Sequence, residues 1–195
     1  MRFQPVCVKN SSPCDSMWLD QCILNLEKTY PFITRCSIGT SVLGKPLWEI
    51  QIGNGPKKIH MNGSFHANEW ITSVVLLNLL ERYLFLVAHG LPFMGFPAVD
   101  LYRQTSLSIV PMVNPDGVDL VLNGPPDQYR DAVLAINEGS DEFVHWKANL
   151  LGVDLNKQYP ANWEIDQKRK APDRTCPSRL PGESTIDRAG IDCHG

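Results

Sequence analysis

The chain has 195 residues, of which 43% are hydrophobic and 20% are charged, and its formal net charge is −3. This length and composition are typical of a globular domain with a sizeable core. The weak net charge, with both signs scattered along the chain, gives no indication of a nucleic-acid partner, and no apolar run reaches the ~18 residues of a membrane span. Residues 1–5 lack the apolar core of a signal peptide, so we expect a cytoplasmic location.

The cysteines lie at spacings that include no C-x-x-C pair, which zinc fingers and redox-active dithiols use. We therefore expect free thiols in a reducing compartment rather than a disulfide framework. The cysteines are Cys7, Cys14, Cys22, Cys36, Cys176 and Cys193.

The first predicted element is an amphipathic helix, which follows an irregular segment at residues 1–15. Asp15 or Ser16 is a suitable cap, and apolar residues recur at helical spacing until about Lys28. Strands are predicted at Ile33–Ile38, Leu47–Ile52 and Lys58–Met61. The turn-forming sequence Asn54-Gly55-Pro56 separates the last two strands and indicates a hairpin.

A long helix and a buried strand come next. Apolar residues from Trp70 to Val87 mark one face of a helix predicted over residues 68–89. Ser106–Val113 is mostly apolar, as a strand in the centre of a sheet is. Strands that alternate with at least one long helix predict an α/β domain with a mixed β-sheet and flanking helices.

The composition changes near the C-terminus. We expect one domain over residues 16–165, preceded by the irregular segment 1–15 and followed by a divergent segment at 166–195. The few apolar residues of that last segment are isolated among prolines and charges, so we expect it to be poorly ordered.

The first candidate site is His66-Ala67-Asn68-Glu69. An imidazole nitrogen and a carboxylate oxygen are both good zinc ligands, and at i, i+3 across the start of a helix both side chains can face one side. The alternative is a histidine packed at the helix start and a glutamate that satisfies N–H groups of the first turn.

Two further segments are candidates. Asn114-Pro115-Asp116-Gly117, taken alone, predicts a turn. Gly152–Pro160 holds Asn156 and Lys157, an amide donor and a cation that can bind a carboxylate. The alternative for this segment is a solvated strand end.

Together these three segments, in this order, resemble the zinc carboxypeptidase family of metallopeptidases. The resemblance covers about residues 20–165 and implies that family's fold, with Zn²⁺ as cofactor and a peptide as substrate. It also implies that His66 and Glu69 are zinc ligands. We expect Asp154, on a predicted strand, to orient His66 rather than to act as a base.

The segments around the histidine and around residues 146–156 are most similar to bacterial γ-D-glutamyl-L-diamino acid endopeptidases, which cut peptidoglycan stem peptides. The resemblance assigns Lys147 to polarising the scissile carbonyl as a catalytic residue, and Asn156 and Lys157 to binding a substrate carboxylate. Lysine at 147 and 157 stands where the family often has arginine. A lysine is a point charge without a bidentate fork, which puts strict exopeptidase specificity in doubt.

Two parts of the family's machinery are missing from the pattern. A catalytic zinc site has three protein ligands, and the family's second histidine and glutamate base come later in the chain. His194 follows no strand, so we do not assign it as a ligand. We therefore expect a domain that is incomplete at its C-terminus, with one sheet edge or face uncovered. The alternative function is a catalytically inactive fragment or a binding module.

Overall fold

The computed structural model describes residues 3–7, 14–160 and 165, and the predicted segment 166–195 lies outside the described residues. The strands are β1 (Ile33–Thr40), β2 (Pro46–Ile52), β3 (Lys57–Asn62), β4 (Pro92–Phe93), β5 (Phe96–Pro97) and β6 (Thr105–Val110). The helices are α1 (Ser16–Thr29), α2 (Ile71–Ala88), α3 (Ala98–Gln104), α4 (Pro115–Asn123) and α5 (Arg130–Ile136). Short 3-10 turns cover Ala67–Glu69, Asp127–Tyr129 and Leu155–Lys157.

The main sheet is mixed and has four strands in the order β1-β2-β6-β3. β2 runs antiparallel to β1 and β6, and β3 runs parallel to β6. The predicted mixed sheet with flanking helices is therefore confirmed, and the strand predicted over Ser106–Val113 lies inside the sheet as expected. β4 and β5 pair separately.

The predicted hairpin between the second and third strands is wrong, because β6 lies between β2 and β3. The connection passes close to the start of β6, where the Gly55 N–H donates to the Thr105 carbonyl at 3.0 Å. A Cβ on Gly55 would lie 2.0 Å from the Gln104 carbonyl carbon, so only glycine allows this approach. The chain does change direction at residues 54–56, but β3 then pairs with β6, which lies about fifty residues further along the chain, rather than with β2.

One core cluster joins α1, α2 and the sheet. Asp15 caps α1 as predicted, since its side chain accepts from Trp18 N. Side chains in this cluster that are fully or almost fully buried include Ile23, Leu26, Ile50, Leu77, Leu84 and Ile109. A second cluster joins α4 and α5 to the segment 143–150 and to Ala67.

The helix predicted over residues 68–89 forms as a 3-10 turn that leads into α2. Among the described residues, the combined helix Ala67–Ala88 is the one long and apolar enough to cross a membrane. A core helix has the same length and composition, and Leu77, Leu80 and Leu84 of α2 are buried in the core cluster with the sheet strands.

Cys7, Cys22 and Cys36 are free thiols, while Cys176 and Cys193 lie outside the described residues. Burial, together with the neighbouring Cys22 and Asp15, raises the pKa of the Cys14 thiol to about 11. Thiols with raised pKa values are poor nucleophiles, which argues against a reactive role for Cys14.

Candidate metal and substrate site

His66 and Glu69 face each other at the point where β3 leads into α2. His66 is the last extended residue, with φ −86° and ψ 135°, and the 3-10 turn that follows brings Glu69 back beneath it. The His66 Nδ1 atom lies 2.9 Å from Glu69 Oε1. The His66 side chain is 16% exposed and that of Glu69 is 49% exposed, so the pair opens toward solvent.

Asp154 stands on the other side of the imidazole. Its Oδ1 atom lies 3.4 Å from His66 Nε2, and its side chain is 9% exposed. The same carboxylate oxygen accepts from the backbone N–H of Asn156 at 3.1 Å and so caps the Leu155–Lys157 turn. Asp154 can therefore fix the orientation of His66 while its own position is held by the turn.

Asn114 ties together the three segments that the sequence singled out. Its Nδ2 donates to the carbonyls of Phe65 (3.2 Å) and Ala148 (3.0 Å), and its Oδ1 accepts from Gly117 N at 3.1 Å. The isolated turn predicted at residues 114–117 is wrong, because these residues form the start of a helix. Asn114 caps α4, and Pro115 is its first residue, a position that suits proline because no N–H is needed there.

Asp116 has a structural position within α4. It is buried, accepts from the Leu43 N–H at 2.9 Å, and pairs with Lys45 Nζ at 3.3 Å. Lys45 also pairs with Asp119 at 2.6 Å. Both oxygens of Asp116 therefore face protein partners rather than the opening beside His66.

Backbone hydrogen bonds hold Lys147 next to the His66–Glu69 turn. The Ala67 N–H donates to the Lys147 carbonyl and the Asn68 N–H donates to the Trp146 carbonyl, both at 3.1 Å. The Lys147 residue is exposed, while Trp146 is buried and anchors the segment. The structure thus places Lys147 beside the His66–Glu69 turn with its side chain on the solvent side.

Asn156 and Lys157 follow Asp154 directly, and both are exposed. The strand end considered for this segment is wrong, because the segment forms a 3-10 turn in which the Lys157 N–H donates to the Asp154 carbonyl at 3.0 Å. A tight turn puts the amide and the cation on the same short loop as the carboxylate that contacts His66. All the predicted site residues therefore lie on two adjoining turns and the segment at Lys147.

The sequence did not predict a chain of hydroxyl groups that lies beside the His66–Glu69 turn. Ser64 has a positive φ of 51°, and its N–H donates to Thr72 Oγ1 at 2.7 Å. Its Oγ contacts Ser73 Oγ at 2.6 Å, which donates to the Pro111 carbonyl at 2.6 Å. These contacts hold the strained residue two positions before His66. The only sequence signal was the cluster of serine and threonine residues around the motif.

The donor set fits one side of a zinc site. Two bonds of ~2.0–2.1 Å at a tetrahedral angle put ligand atoms roughly 3.3 Å apart, close to the 2.9 Å between His66 Nδ1 and Glu69 Oε1. No group of three or more histidine, cysteine, aspartate or glutamate side chains able to hold a metal occurs within residues 3–7, 14–160 and 165. The described residues thus offer two candidate ligands, with Asp154 on the far side of one of them.

Comparison with known proteins finds relatives over most of this chain. The chain is 48% identical over 178 residues to the uncharacterized protein YqgT of Bacillus subtilis (strain 168). The aligned region covers 88% of this chain and 46% of that relative. It is 46% identical over 166 residues to Gamma-D-glutamyl-L-diamino acid endopeptidase 1 of Lysinibacillus sphaericus, covering 84% of this chain and 42% of the relative. The chain therefore spans less than half the length of these two relatives.

Solved structures show the same fold. Carboxypeptidase A from Helicoverpa armigera matches 96% of this chain and 44% of its own, with a TM-score of 0.64 at 17% identity. The family model described as zinc carboxypeptidase matches residues 19–187. This chain belongs to the zinc carboxypeptidase family of metallopeptidases.

Proposed function

We propose that this chain serves zinc-dependent hydrolysis of an amide bond, and that the bond is the γ-D-glutamyl-L-diamino acid linkage of peptidoglycan stem peptides. The observation that carries the proposal is the solvent-facing pair of His66 Nδ1 and Glu69 Oε1, 2.9 Å apart, with Asp154 against the far side of the imidazole. Similarity to the Lysinibacillus sphaericus endopeptidase supports the substrate class.

His66 and Glu69 would hold the zinc ion, through Nδ1 and the carboxylate. Bound zinc polarises a carbonyl and lowers the pKa of a bound water to about 7. An ionised Asp154 can only accept hydrogen bonds, so its position beside Nε2 favours the tautomer that carries hydrogen there and leaves Nδ1 free as a ligand. The turn that Asp154 caps keeps this carboxylate in place.

Lys147, Asn156 and Lys157 would bind the substrate. Lys147 supplies a positive charge beside the zinc motif, where charge develops on the carbonyl oxygen of a cleaved amide. Asn156 donates through its amide and Lys157 adds a point charge, which together suit a carboxylate. Neither lysine offers a bidentate fork, so this arrangement supports binding of a side-chain or stem-peptide carboxylate as well as a terminal one.

A second candidate is a zinc-binding chain without turnover of its own. It is favoured by the donor count, because His66 and Glu69 are not joined by a third ligand within the described residues. It is also favoured by the absence of a free carboxylate base beside them in this range. Asp116 is committed to Lys45 and Leu43, and Asp154 to His66 and Asn156. A positioned base typically contributes ~10²–10⁴-fold to such a reaction.

Zinc titration and peptidase assays on the purified chain separate the two candidates. We expect the chain to bind zinc and His66→Ala to abolish this binding. His89 is an exposed histidine at the end of α2, and His89→Ala should leave zinc binding unchanged. Assays should use a γ-D-glutamyl-diamino acid peptide and a peptide with a free C-terminus. Zinc-dependent cleavage of the first substrate establishes the peptidase, whereas zinc binding without cleavage of either supports the second candidate. Zinc binding that survives His66→Ala contradicts both.

A further inference from the structure

Thr72, in the first turn of α2, joins the two ends of the segment that carries both candidate zinc ligands. Its Oγ1 atom accepts from the Ser64 N–H at 2.7 Å and donates to the Glu69 carbonyl at 2.8 Å. Ser64 and Glu69 are the first and last residues of the segment 64–69, which also contains His66. One side-chain oxygen therefore bridges the ends of this segment through two hydrogen bonds.

The hydrogens of the surrounding hydroxyl groups can be assigned by elimination. A carbonyl only accepts, so Ser73 gives its one hydroxyl hydrogen to the Pro111 carbonyl at 2.6 Å. Ser64 Oγ lies 2.6 Å from Ser73 Oγ and must be the donor of that pair. Because the Ser64 hydrogen is used there, Thr72 is the hydroxyl that donates to the Glu69 carbonyl.

The peptide group between Gly63 and Ser64 is held at both ends. The Gly63 carbonyl accepts from the Val113 N–H at 3.0 Å, and the Ser64 N–H donates to Thr72. A Cβ on Gly63 would lie 2.8 Å from the Pro111 carbonyl oxygen and 3.1 Å from Thr72 Oγ1, so the peptide fits closely between them. Its orientation gives Ser64 a φ of 51°, which non-glycine residues keep only where their surroundings enforce it. Thr72 is one of the groups that enforce it.

We propose that Thr72 is a positioning residue of the zinc site, which sets the separation of His66 and Glu69 through the backbone; this rests on the proposed function of those two residues as ligands. His66 lies two residues after the N–H that Thr72 holds, and Glu69 provides the carbonyl that Thr72 holds. The 2.9 Å between His66 Nδ1 and Glu69 Oε1 thus depends on a hydroxyl from the helix that follows them.

Loss of the hydroxyl would release both ends of the segment at once. The Ser64 N–H would face a methyl group, and an N–H buried without a partner is costly. The peptide would turn to find another acceptor, the left-handed conformation of Ser64 would relax, and His66 would move away from Glu69. Zinc would then have to order the segment when it binds, which lowers the affinity.

Metal titrations of matched variants test this inference. Thr72→Val keeps the branched shape at this helix position but makes neither hydrogen bond. We expect it to bind zinc about tenfold more weakly, at the lower end of the range for groups that support metal ligands. Thr72→Ser keeps the hydroxyl and should stay within about twofold of the unmodified chain. Co²⁺ in place of zinc should show an altered visible absorption spectrum in Thr72→Val, because this spectrum depends on ligand geometry.

A control and a second measurement separate positioning from stability. Thr29 donates through its hydroxyl to the Asn25 carbonyl at 2.8 Å on the exposed end of α1. Thr29→Val makes the same chemical change there and should alter neither the zinc affinity nor the cobalt spectrum. Urea unfolding of Thr72→Val completes the set, because a purely structural Thr72 would lower stability and leave the cobalt spectrum of the folded chain unchanged.

The comparison uses the part of the zinc binding that His66→Ala abolishes. Should Thr72→Val not fold, Thr72→Ala replaces it, with a smaller loss of affinity expected because water can enter the vacated space, and again an altered cobalt spectrum. Full zinc affinity or an unaltered cobalt spectrum in the folded variant would overturn the inference and leave the zinc site standing, as would an equal loss in Thr72→Ser. A chain that binds no zinc, or binds it equally well after His66→Ala, would overturn both the inference and the proposed function.

Discussion

Glu69 and Asp116 are carboxylates from neighbouring motifs that end in opposite surroundings. Asp116 is buried and has both a backbone N–H and a lysine as partners. The Glu69 side chain is about half exposed and contacts one imidazole. A carboxylate whose oxygens are all engaged by the protein holds the fold together, whereas one that faces solvent beside an imidazole is available to a metal ion. Stability should therefore depend on Asp116 and zinc affinity on Glu69.

The largest expected effect on stability is that of Asp116→Asn. The substitution removes the charge that compensates Lys45 and weakens the bond from Leu43 N–H. We expect the free energy of unfolding to fall by about 2–3 kcal/mol, since a charged group loses its buried partner, although Lys45 keeps Asp119 and part of its exposure. Urea unfolding measures this. A change below about 0.5 kcal/mol would show that the pair is not a structural clamp.

The next largest expected effect is the loss of zinc affinity in Asp154→Asn, a carboxylate that differs from both Glu69 and Asp116 because it contacts the far side of the His66 imidazole. Asp154→Asn keeps the size of the side chain and its cap on Asn156 N but weakens the support of the His66 imidazole. Replacing such supporting groups typically lowers metal affinity about 10–100-fold. Zinc calorimetry checks the loss, and urea unfolding of the same variant should differ little from the unmodified chain. Unchanged zinc affinity would mean that Asp154 serves only the turn.

The smallest expected effect concerns Glu49, on the exposed face of β2. Partial burial opposes its ionisation, but hydrogen bonds from Ser108, Gln51 and Cys36 outweigh this and lower the pKa of the Glu49 carboxyl. A lowered folded-state pKa stabilises the protein above the unfolded-state value, and that contribution is lost as the pH falls through the folded-state value. Glu49→Gln should therefore flatten the acid limb of stability against pH slightly. An acid limb identical to that of the unmodified chain would contradict the assignment.

Elements set by local periodicity could be predicted from the sequence. α1, α2 and the four sheet strands appear within a few residues of their predicted bounds, because their apolar spacing is read directly from neighbouring residues. The order of the sheet could not, since β6 enters between β2 and β3 through pairing that depends on residues far apart in the chain. α3 and α5 are only seven residues each, too short for a clear periodic signal.

The candidate site likewise has features that local spacing predicts and features that depend on residues far apart in the chain. The i, i+3 spacing of His66 and Glu69 indicated that the two side chains can face one side, as they do, but taken alone it left a packed histidine and a glutamate bound to first-turn N–H groups as the alternative. The contact of Asp154 with His66 was expected, but on a strand, and the turn that supports it was not foreseen. Asn114 looked like part of a turn because its role depends on carbonyls from residues 65 and 148, which no local pattern brings together.

The central claim is that His66 and Glu69 form the zinc-binding pair, and the most direct measurement compares zinc affinity in two matched carboxylate variants. Glu69→Gln and Asp116→Asn make the same chemical change in neighbouring motifs. Calorimetric titration with zinc should show that Glu69→Gln loses most of its affinity while remaining as stable as the unmodified chain. Asp116→Asn, still folded at low temperature, should bind zinc normally. Equal zinc affinity in the Glu69→Gln variant and the unmodified chain would contradict the account.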